Sequence, residues 1–188
     1  MRIISGYARG RTIKAPVEGT RPTSDRAKEG VFSSLSVRFG FDGARVLDLF
    51  AGSGALGLEA ASRGADSVVF VDTDSAAIET IKDNIRRVGD VDADVVQLKV
   101  SSYLSGAPEN YFDIVLIDPP YALIDEAVHD MLVALAPHLR DGAAVVVERS
   151  SASPETQWPE GYEPTGQKLK KRTYGAARMD MASFTRSE

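Results

Sequence analysis

The feature that most constrains the fold is a series of apolar runs, each followed by an amphipathic segment, between residues 44 and 149. ARVLDLF (44–50), DSVVFVD (66–72), DVVQLKV (94–100), FDIVLID (112–118) and AAVVVER (143–149) are rich in apolar and β-branched residues. Strands of this kind are buried on both faces, which is the condition of a parallel sheet. The segments between them repeat with a helical period. ALGLEAASRG ends at Gly64, SAAIETIKDNIRRVG places Ile78, Ile81, Ile85 and Val88 on one side, and residues 125–139 read as a third helix. This alternation predicts a doubly wound α/β sheet with right-handed connections. After Pro154 the pattern changes: strand-like pieces near 162–172 and 177–184 follow one another without a helix. They suit an antiparallel hairpin that closes one edge of the sheet.

Ahead of this block, residues 2–14 read as two short strands around Gly6 and Gly10, a hairpin. Pro16, Gly19 and Pro22 make a loop, and Thr23 or Ser24 can cap a helix through RAKEGVFSSLSVRF. Its Ala27, Val31, Leu35 and Phe39 recur every four residues and define one buried face. The expected division is an N-terminal extension over residues 1–22 and one α/β domain over 23–188.

The chain has no cysteine, so disulfides, thiolate metal sites and thiol nucleophiles are excluded. His129 and His138 are its only imidazoles and lie among ordinary helical residues, so no metal site is expected. No apolar run approaches the roughly 20 residues needed to span a bilayer. MRIISGYARGRTIKAP lacks the apolar core of a signal peptide, and a cytoplasmic protein is expected.

The net charge of −5 argues against a nucleic-acid partner only until its distribution is considered. Residues 1–30 hold seven basic residues, among them Arg9, Arg11, Lys14, Arg21 and Arg26, against three acids. Residues 165–178 hold five, including Lys170, Lys171 and Arg172, with no acid. The body between them is strongly acidic. An acidic body with basic ends can still present one positive face. Tyr7 and Tyr174 lie in these segments and could stack on bases.

The first strand runs into VLDLFAGSGALGLEA, where Gly52, Gly54 and Gly57 have the GxGxxG spacing. Such glycines permit a tight turn, and the helix that follows offers free N–H groups to a ligand. Asp72 ends the second strand 20 residues after Gly52 and can accept the hydroxyls of a ribose. NAD and S-adenosyl-L-methionine both suit this arrangement. Asp48, an acid inside the first apolar strand, favours the second, because a buried carboxylate is costly unless paired. NAD brings a negative pyrophosphate, whereas S-adenosylmethionine brings an ammonium and a sulfonium.

FDIVLID ends in Asp118-Pro119-Pro120-Tyr121. In a doubly wound sheet, ligands bind beyond the carboxyl ends of the strands where the strand order reverses. If that reversal falls between the first and fourth strands, this turn faces the glycine loop. An exocyclic amine on a nucleobase is a poor nucleophile, because its lone pair is delocalised into the ring. Acceptors that hold its N–H groups favour a more pyramidal, more reactive nitrogen. Asp118 supplies a carboxylate, and Pro119 a carbonyl in a direction fixed by its locked φ. The prolines remove competing N–H donors, and Tyr121 offers a face for the base. The alternative is a rigid turn with no further role.

Asp118 to Tyr121 resemble the [DNS]PP[YFW] signature of amino-group methyltransferases that act on nucleic-acid bases. Over nearly its whole length the chain resembles the bacterial 16S ribosomal RNA guanine-N2 methyltransferases of the D type. The resemblance is carried by MRIISGYARGRTIKAP, TRPTSDRAKEGVFSSL, LDLFAGSGALGLEA, DPPY and KLKKRTYG. It implies a class I methyltransferase fold, Rossmann-like, with a seven-stranded mostly parallel sheet whose last strand is antiparallel. It implies methylation of a guanine N2 in 16S ribosomal RNA, within the small subunit or an assembly intermediate, with S-adenosylmethionine as methyl donor. Carried over, Asp118, Pro119, Pro120 and Tyr121 are catalytic. Asp48, Phe50, Gly52, Ser53, Gly54, Asp72, Thr73 and Asp118 bind the methyl donor. The extension and Arg21-Pro22-Thr23 face RNA or cover the donor, with Arg9, Arg11, Lys14, Arg26, Lys170, Lys171, Arg172 and Tyr174 on the substrate side. One departure stands out: relatives often carry an acid or amide before a small residue at the end of the third strand, where this chain has Leu98-Lys99-Val100-Ser101. There Val100 would offer its backbone N–H and Ser101 its hydroxyl. The remaining alternatives are a DNA amino-methyltransferase, an NAD-dependent oxidoreductase and a non-catalytic RNA-binding module.

Overall fold

The computed structural model describes residues 1–16 and 22–187. One mixed sheet forms the centre. Its parallel part is built from β1 (Arg45–Leu49), β2 (Ser67–Asp72), β3 (Ala93–Gln97), β4 (Phe112–Ile117) and β5 (Leu139–Ser150). Then come β6 (Tyr162–Pro164), the two-residue β7 (Thr173–Tyr174) and β8 (Ala177–Phe184). The order is β3-β2-β1-β4-β5-β8-β6, with β7 beside β8. β8 runs antiparallel to both β5 and β6. The strand order therefore reverses between β1 and β4, and seven strands lie on the main path with β8 reversed. This is the class I methyltransferase arrangement, the fold expected from the sequence, with β7 as a short addition.

Helices cover both faces. α1 (Asp25–Arg38), α2 (Ala55–Ser62) and α3 (Ser75–Val88) supply Leu35, Leu58 and Ile81 to a core against Val46, Phe70 and Leu116. α4 (Val100–Gly106) and α5 (Asp125–Leu135) supply Leu104 and Leu132 to a second core against Leu47, Val115 and Val147. Side chains alternate along each strand, so even-numbered positions of β1, β2, β4 and β5 face the first core. No helix among the described residues is long and apolar enough to cross a membrane.

Several boundaries differ from expectation for local reasons. Ser24, not Thr23, caps α1, accepting from Ala27 N at 3.1 Å. The third strand stops at Gln97, and Val100 and Ser101 open α4. α5 stops at Leu135, and a 3₁₀ turn with Pro137 follows. β5 begins at Leu139, four residues early. The stretch expected as strand over 162–172 instead ends in a single helical turn, α6 (Leu169–Arg172).

The N-terminal hairpin is reduced to one bridge, Arg2 to Thr12. Between them the chain turns through Gly6 and Gly10, both at positive φ. A side chain on Gly6 would overlap the Ser62 carbonyl oxygen at 1.7 Å, so this turn can only lie against α2 if that residue is glycine. Ile3, Ala8 and Ile13 are buried in the first core. Glu59, itself fully buried on α2, accepts from the backbone N–H groups of Ile4 and Ser5. The segment is thus fastened to the sheet-covering helices.

Candidate active site

The reversal between β1 and β4 opens a cleft of about 540 Å³ at the carboxyl ends of the strands. Parallel pairing puts Leu49 opposite Ile117, so the chain leaves both strands at the same level. From β1 it enters the glycine loop. Phe50 has φ 56, an uncommon conformation for a side chain of this size, and Gly52 and Gly54 continue at φ 59 and 79. Gly54 stands at the N-cap of α2 without a side-chain cap. Gly57 is required by packing: a Cβ there would lie 2.4 Å from Phe70 Cε1 and 3.0 Å from Asp48 Oδ2. This is the close helix–strand approach expected of the third glycine.

From β4 the chain enters Asp118-Pro119-Pro120-Tyr121, where Leu123 N donates to the Pro120 carbonyl at 2.9 Å and closes the turn. Asp118, Pro119, Pro120 and Tyr121 all line the cleft, as do Asp48, Phe50, Gly52, Ser53, Asp72, Thr73 and Thr23. Val100 and Ser101 do not line it. Arg21 lies outside the described residues.

Four acids come from four neighbouring strands. Asp48, Asp72 and Glu148 stand at even positions of β1, β2 and β5, and Asp118 continues the even positions of β4. They share one face of the sheet. Asp72 accepts from Gly52 N at 2.9 Å and Asp74 N at 3.0 Å, which holds the glycine loop to the second strand. Asp48 is 1% exposed; its Oδ2 accepts from Gly57 N at 2.9 Å, and its Oδ1 has no hydrogen-bond partner among the described residues. Burial drives its carboxyl well above the usual range, against the Gly57 hydrogen bond, and the Asp72 charge adds to the rise. Asp118 is likewise raised well above the usual range, first by burial and then by the Glu148 and Asp48 carboxylates. Acids held in such a state are suited to a cation, whose arrival would restore their charge. A pyrophosphate would have the opposite effect.

Glu148 was not foreseen. It is 5% exposed, accepts from Thr23 Oγ1 at 2.8 Å and from the Tyr121 hydroxyl at 3.3 Å, and lines the cleft beside Asp118. Thr23 also approaches Asp118 Oδ2 at 3.4 Å. The signal was present in the sequence: VVVE ends an apolar run in an acid, as FVD and LID do. Asn84 was missed as well. Buried on α3, it donates to the Ser53 carbonyl at 2.9 Å and so supports the glycine loop from beneath.

The basic residues divide into two groups. Arg26 at the start of α1 is exposed, and Lys170 and Lys171 are exposed on α6. α6 and β7 pack against α1, so the two basic segments converge there. Tyr174 is half-buried, with its hydroxyl against Gly30 and 3.1 Å from the Lys171 carbonyl. Arg172 pairs with Asp180 and with Glu155, the latter at 2.6 Å, and is engaged inside the fold rather than offered to solvent. Lys14 pairs with Asp83, and Arg11 donates to the Val88 carbonyl, both fastening the N-terminal segment to α3. Arg9 is exposed. Phosphate contact by Arg11, Lys14 and Arg172 would have to compete with these partners.

The family model for conserved hypothetical protein 95 matches residues 1–182. Ribosomal RNA small subunit methyltransferase D of Escherichia coli K12 is 38% identical over 153 residues, 79% of this chain and 74% of its own length. The protein of the same name from Haemophilus influenzae is 36% identical over 163 residues, covering 82% of this chain and 81% of that one. Among solved structures, yhhF from Escherichia coli, described there as a candidate methyltransferase, superposes with a TM-score of 0.82 at 29% identity, covering 100% of this chain and 99% of its own. The nicotinamide alternative is set aside on these relationships. The chain belongs to the conserved hypothetical protein 95 family, the family of the small-subunit ribosomal RNA methyltransferases D, and is a methyltransferase.

Proposed function

We propose that this enzyme transfers a methyl group from S-adenosylmethionine to the exocyclic N2 amine of one guanine in 16S ribosomal RNA. The observation that carries the reading is the meeting of two loops at one strand reversal. The glycine loop after β1 and the Asp118-Pro119-Pro120-Tyr121 turn after β4 line the same cleft. The names of the similar enzymes point to small-subunit ribosomal RNA as the substrate.

S-adenosylmethionine supplies, when bound, a methyl group already activated on a sulfonium. Asp72 would receive its ribose hydroxyls, and the backbone of Gly52 and Ser53 its methionine end. The unpartnered Oδ1 of Asp48 is a buried acceptor suited to a cationic group. On the acceptor side, Asp118 and the Pro119 carbonyl would take the two N–H groups of the amine and aim its lone pair at the methyl carbon. As the nitrogen–carbon bond forms and the carbon–sulfur bond breaks, the nitrogen becomes cationic and sheds one proton. Asp118 is placed to pass that proton to water. Alignment then supplies most of the acceleration, as expected when the leaving group is already activated. Tyr121, 43% exposed at the cleft edge, offers a ring on which a splayed base can stack. Arg26, Lys170 and Lys171 would hold phosphates.

Calorimetry with S-adenosylmethionine and with NAD, followed by methyl transfer to small ribosomal subunits from cells lacking the enzyme, tests this reading. Binding of the sulfonium compound alone, with label in 16S RNA, is the expected result. Label only in naked duplex DNA would keep the donor and overturn the substrate.

A further inference from the structure

An acid at position 148 is unfavourable for folding alone. It is buried at the end of β5, one strand away from Asp118, and its charge opposes that of Asp118. Ile117 pairs with Val147, so the next residue on each strand is an acid, and both acids point to the same sheet face. Burying two carboxyl groups side by side costs stability unless something else uses them. Both lie in the cleft with the Pro119 carbonyl. Asp118, which holds its proton tightly, is hydrogen-bonded to Glu148; once that proton is lost, the two carboxylates and the carbonyl together form a set of acceptors.

Three bases carry exocyclic amines. In adenine and cytosine the ring nitrogen next to the amine is an acceptor. In guanine it is a donor, N1–H, beside the N2 amine. A pair of neighbouring carboxylates therefore matches the edge of guanine and meets a repelling lone pair on the other two. We propose that Glu148 is the specificity-determining residue of this active site, accepting the N1–H of the guanine whose N2 amine is held by Asp118 and Pro119. This rests on the guanine-N2 reading above. Thr23 and Tyr121 fix the plane of the Glu148 carboxylate by donating to its two oxygens, at 2.8 and 3.3 Å. A carboxylate has about four lone-pair positions, so the N1–H can be accepted in addition to these.

The test replaces the target guanine, once mapped, by 2-aminopurine in reconstituted small subunits. This base keeps the 2-amine but has a bare ring nitrogen where guanine has N1–H. The wild-type enzyme should methylate it about 10- to 100-fold more slowly than guanine, the range for a lost hydrogen bond to a charged group. Glu148→Gln should slow several-fold on guanine, because a neutral amide oxygen replaces a charged acceptor, and should hold or gain on 2-aminopurine, because its NH2 can donate to the bare nitrogen. The selectivity ratio then collapses while S-adenosylmethionine affinity, read by calorimetry, is kept. Equal wild-type rates on the two bases would overturn the proposal. So would an equal loss on both in Glu148→Gln, the mark of a residue that only positions Tyr121 and Thr23. If that variant fails to fold, the wild-type comparison still stands as the test. Methyl found on adenine or cytosine would instead overturn the guanine reading itself, and it would be seen in the identity of the labelled base rather than in a rate ratio.

Discussion

Asn84 holds Ser53: its side-chain amide donates to the Ser53 carbonyl at 2.9 Å from the buried face of α3. The same amide accepts from Lys14 N at 2.7 Å and donates to the Lys14 carbonyl at 3.0 Å. One side chain thus joins the glycine loop to the N-terminal segment. Asn84→Ala would leave three backbone groups without these partners. Unfolding in urea should show a loss of about 2–4 kcal/mol, from roughly 1 kcal/mol or more for each buried group left unsatisfied. Affinity for S-adenosylmethionine should fall with it. A variant with wild-type stability and affinity would show that the loop holds its shape without Asn84.

Asp118→Ala should separate binding from turnover. The carboxylate is assigned to the amine and not to the donor's adenosine, so calorimetric affinity for S-adenosylmethionine should change little. Single-turnover methylation should slow by about 100-fold or more, the usual scale for a positioned acid or base. Matching losses in both quantities would remove the assignment.

The raised carboxyls of Asp48 and Asp118 make a pH prediction with a definite sign. A carboxyl that holds its proton more tightly in the folded state contributes stability below the ordinary value of 3.8. That contribution is lost as the pH rises through the raised folded-state value. The donor-free enzyme should therefore lose stability relative to Asp118→Asn as the pH climbs from about 4. In thermal melts the variant's advantage should widen over that range. An advantage that stays constant with pH would mean that Asp118 titrates normally.

The two kinds of basic residue on the C-terminal segment should behave differently. Lys170→Glu with Lys171→Glu changes exposed side chains on α6, so folding should be unaffected. RNA affinity should drop and its dependence on salt should flatten, since fewer counterions are released. Arg172→Ala removes a partner from the buried Asp180, whose remaining ion-pair partner is Arg178. It should cost about 1.5–3 kcal/mol in stability, the scale for a hydrogen bond to a charged group, because Arg178 still pairs with Asp180. Loss of RNA affinity in Arg172→Ala with full stability would return it to the substrate-binding group.

The sequence made the sheet legible because its strands are nearly all apolar and their ends are marked by chemistry. Val46 to Leu49 and Ile114 to Ile117 could only be buried strands, and glycines or prolines follow each of them. The glycine loop, Asp72 and the Asp118 turn were legible for the same reason: short-range patterns that need no knowledge of partners. α4 was hidden because VSSYLSG has three serines and only one fully buried residue, Leu104, so its periodicity is faint. The roles of Arg172 and Lys14 were hidden because Asp180 and Asp83 reach them only through tertiary packing, and a lysine- or arginine-rich segment reads the same whether free or paired. Glu148 was in view as an acid ending a strand. Its meaning depends on β5 lying next to β4, an adjacency that the alternation of strands and helices does not specify.

The most direct test of the whole account is to identify the methylated nucleoside. Small subunits from cells lacking the enzyme would be incubated with the protein and S-adenosylmethionine, the 16S RNA digested completely, and the nucleosides separated by mass spectrometry. The expected result is N2-methylguanosine, one per RNA, formed far more slowly with Asp118→Ala. Methyl carried on the N6 of adenine or on a ring nitrogen, or no methylated nucleoside from a protein that binds S-adenosylmethionine, would contradict it.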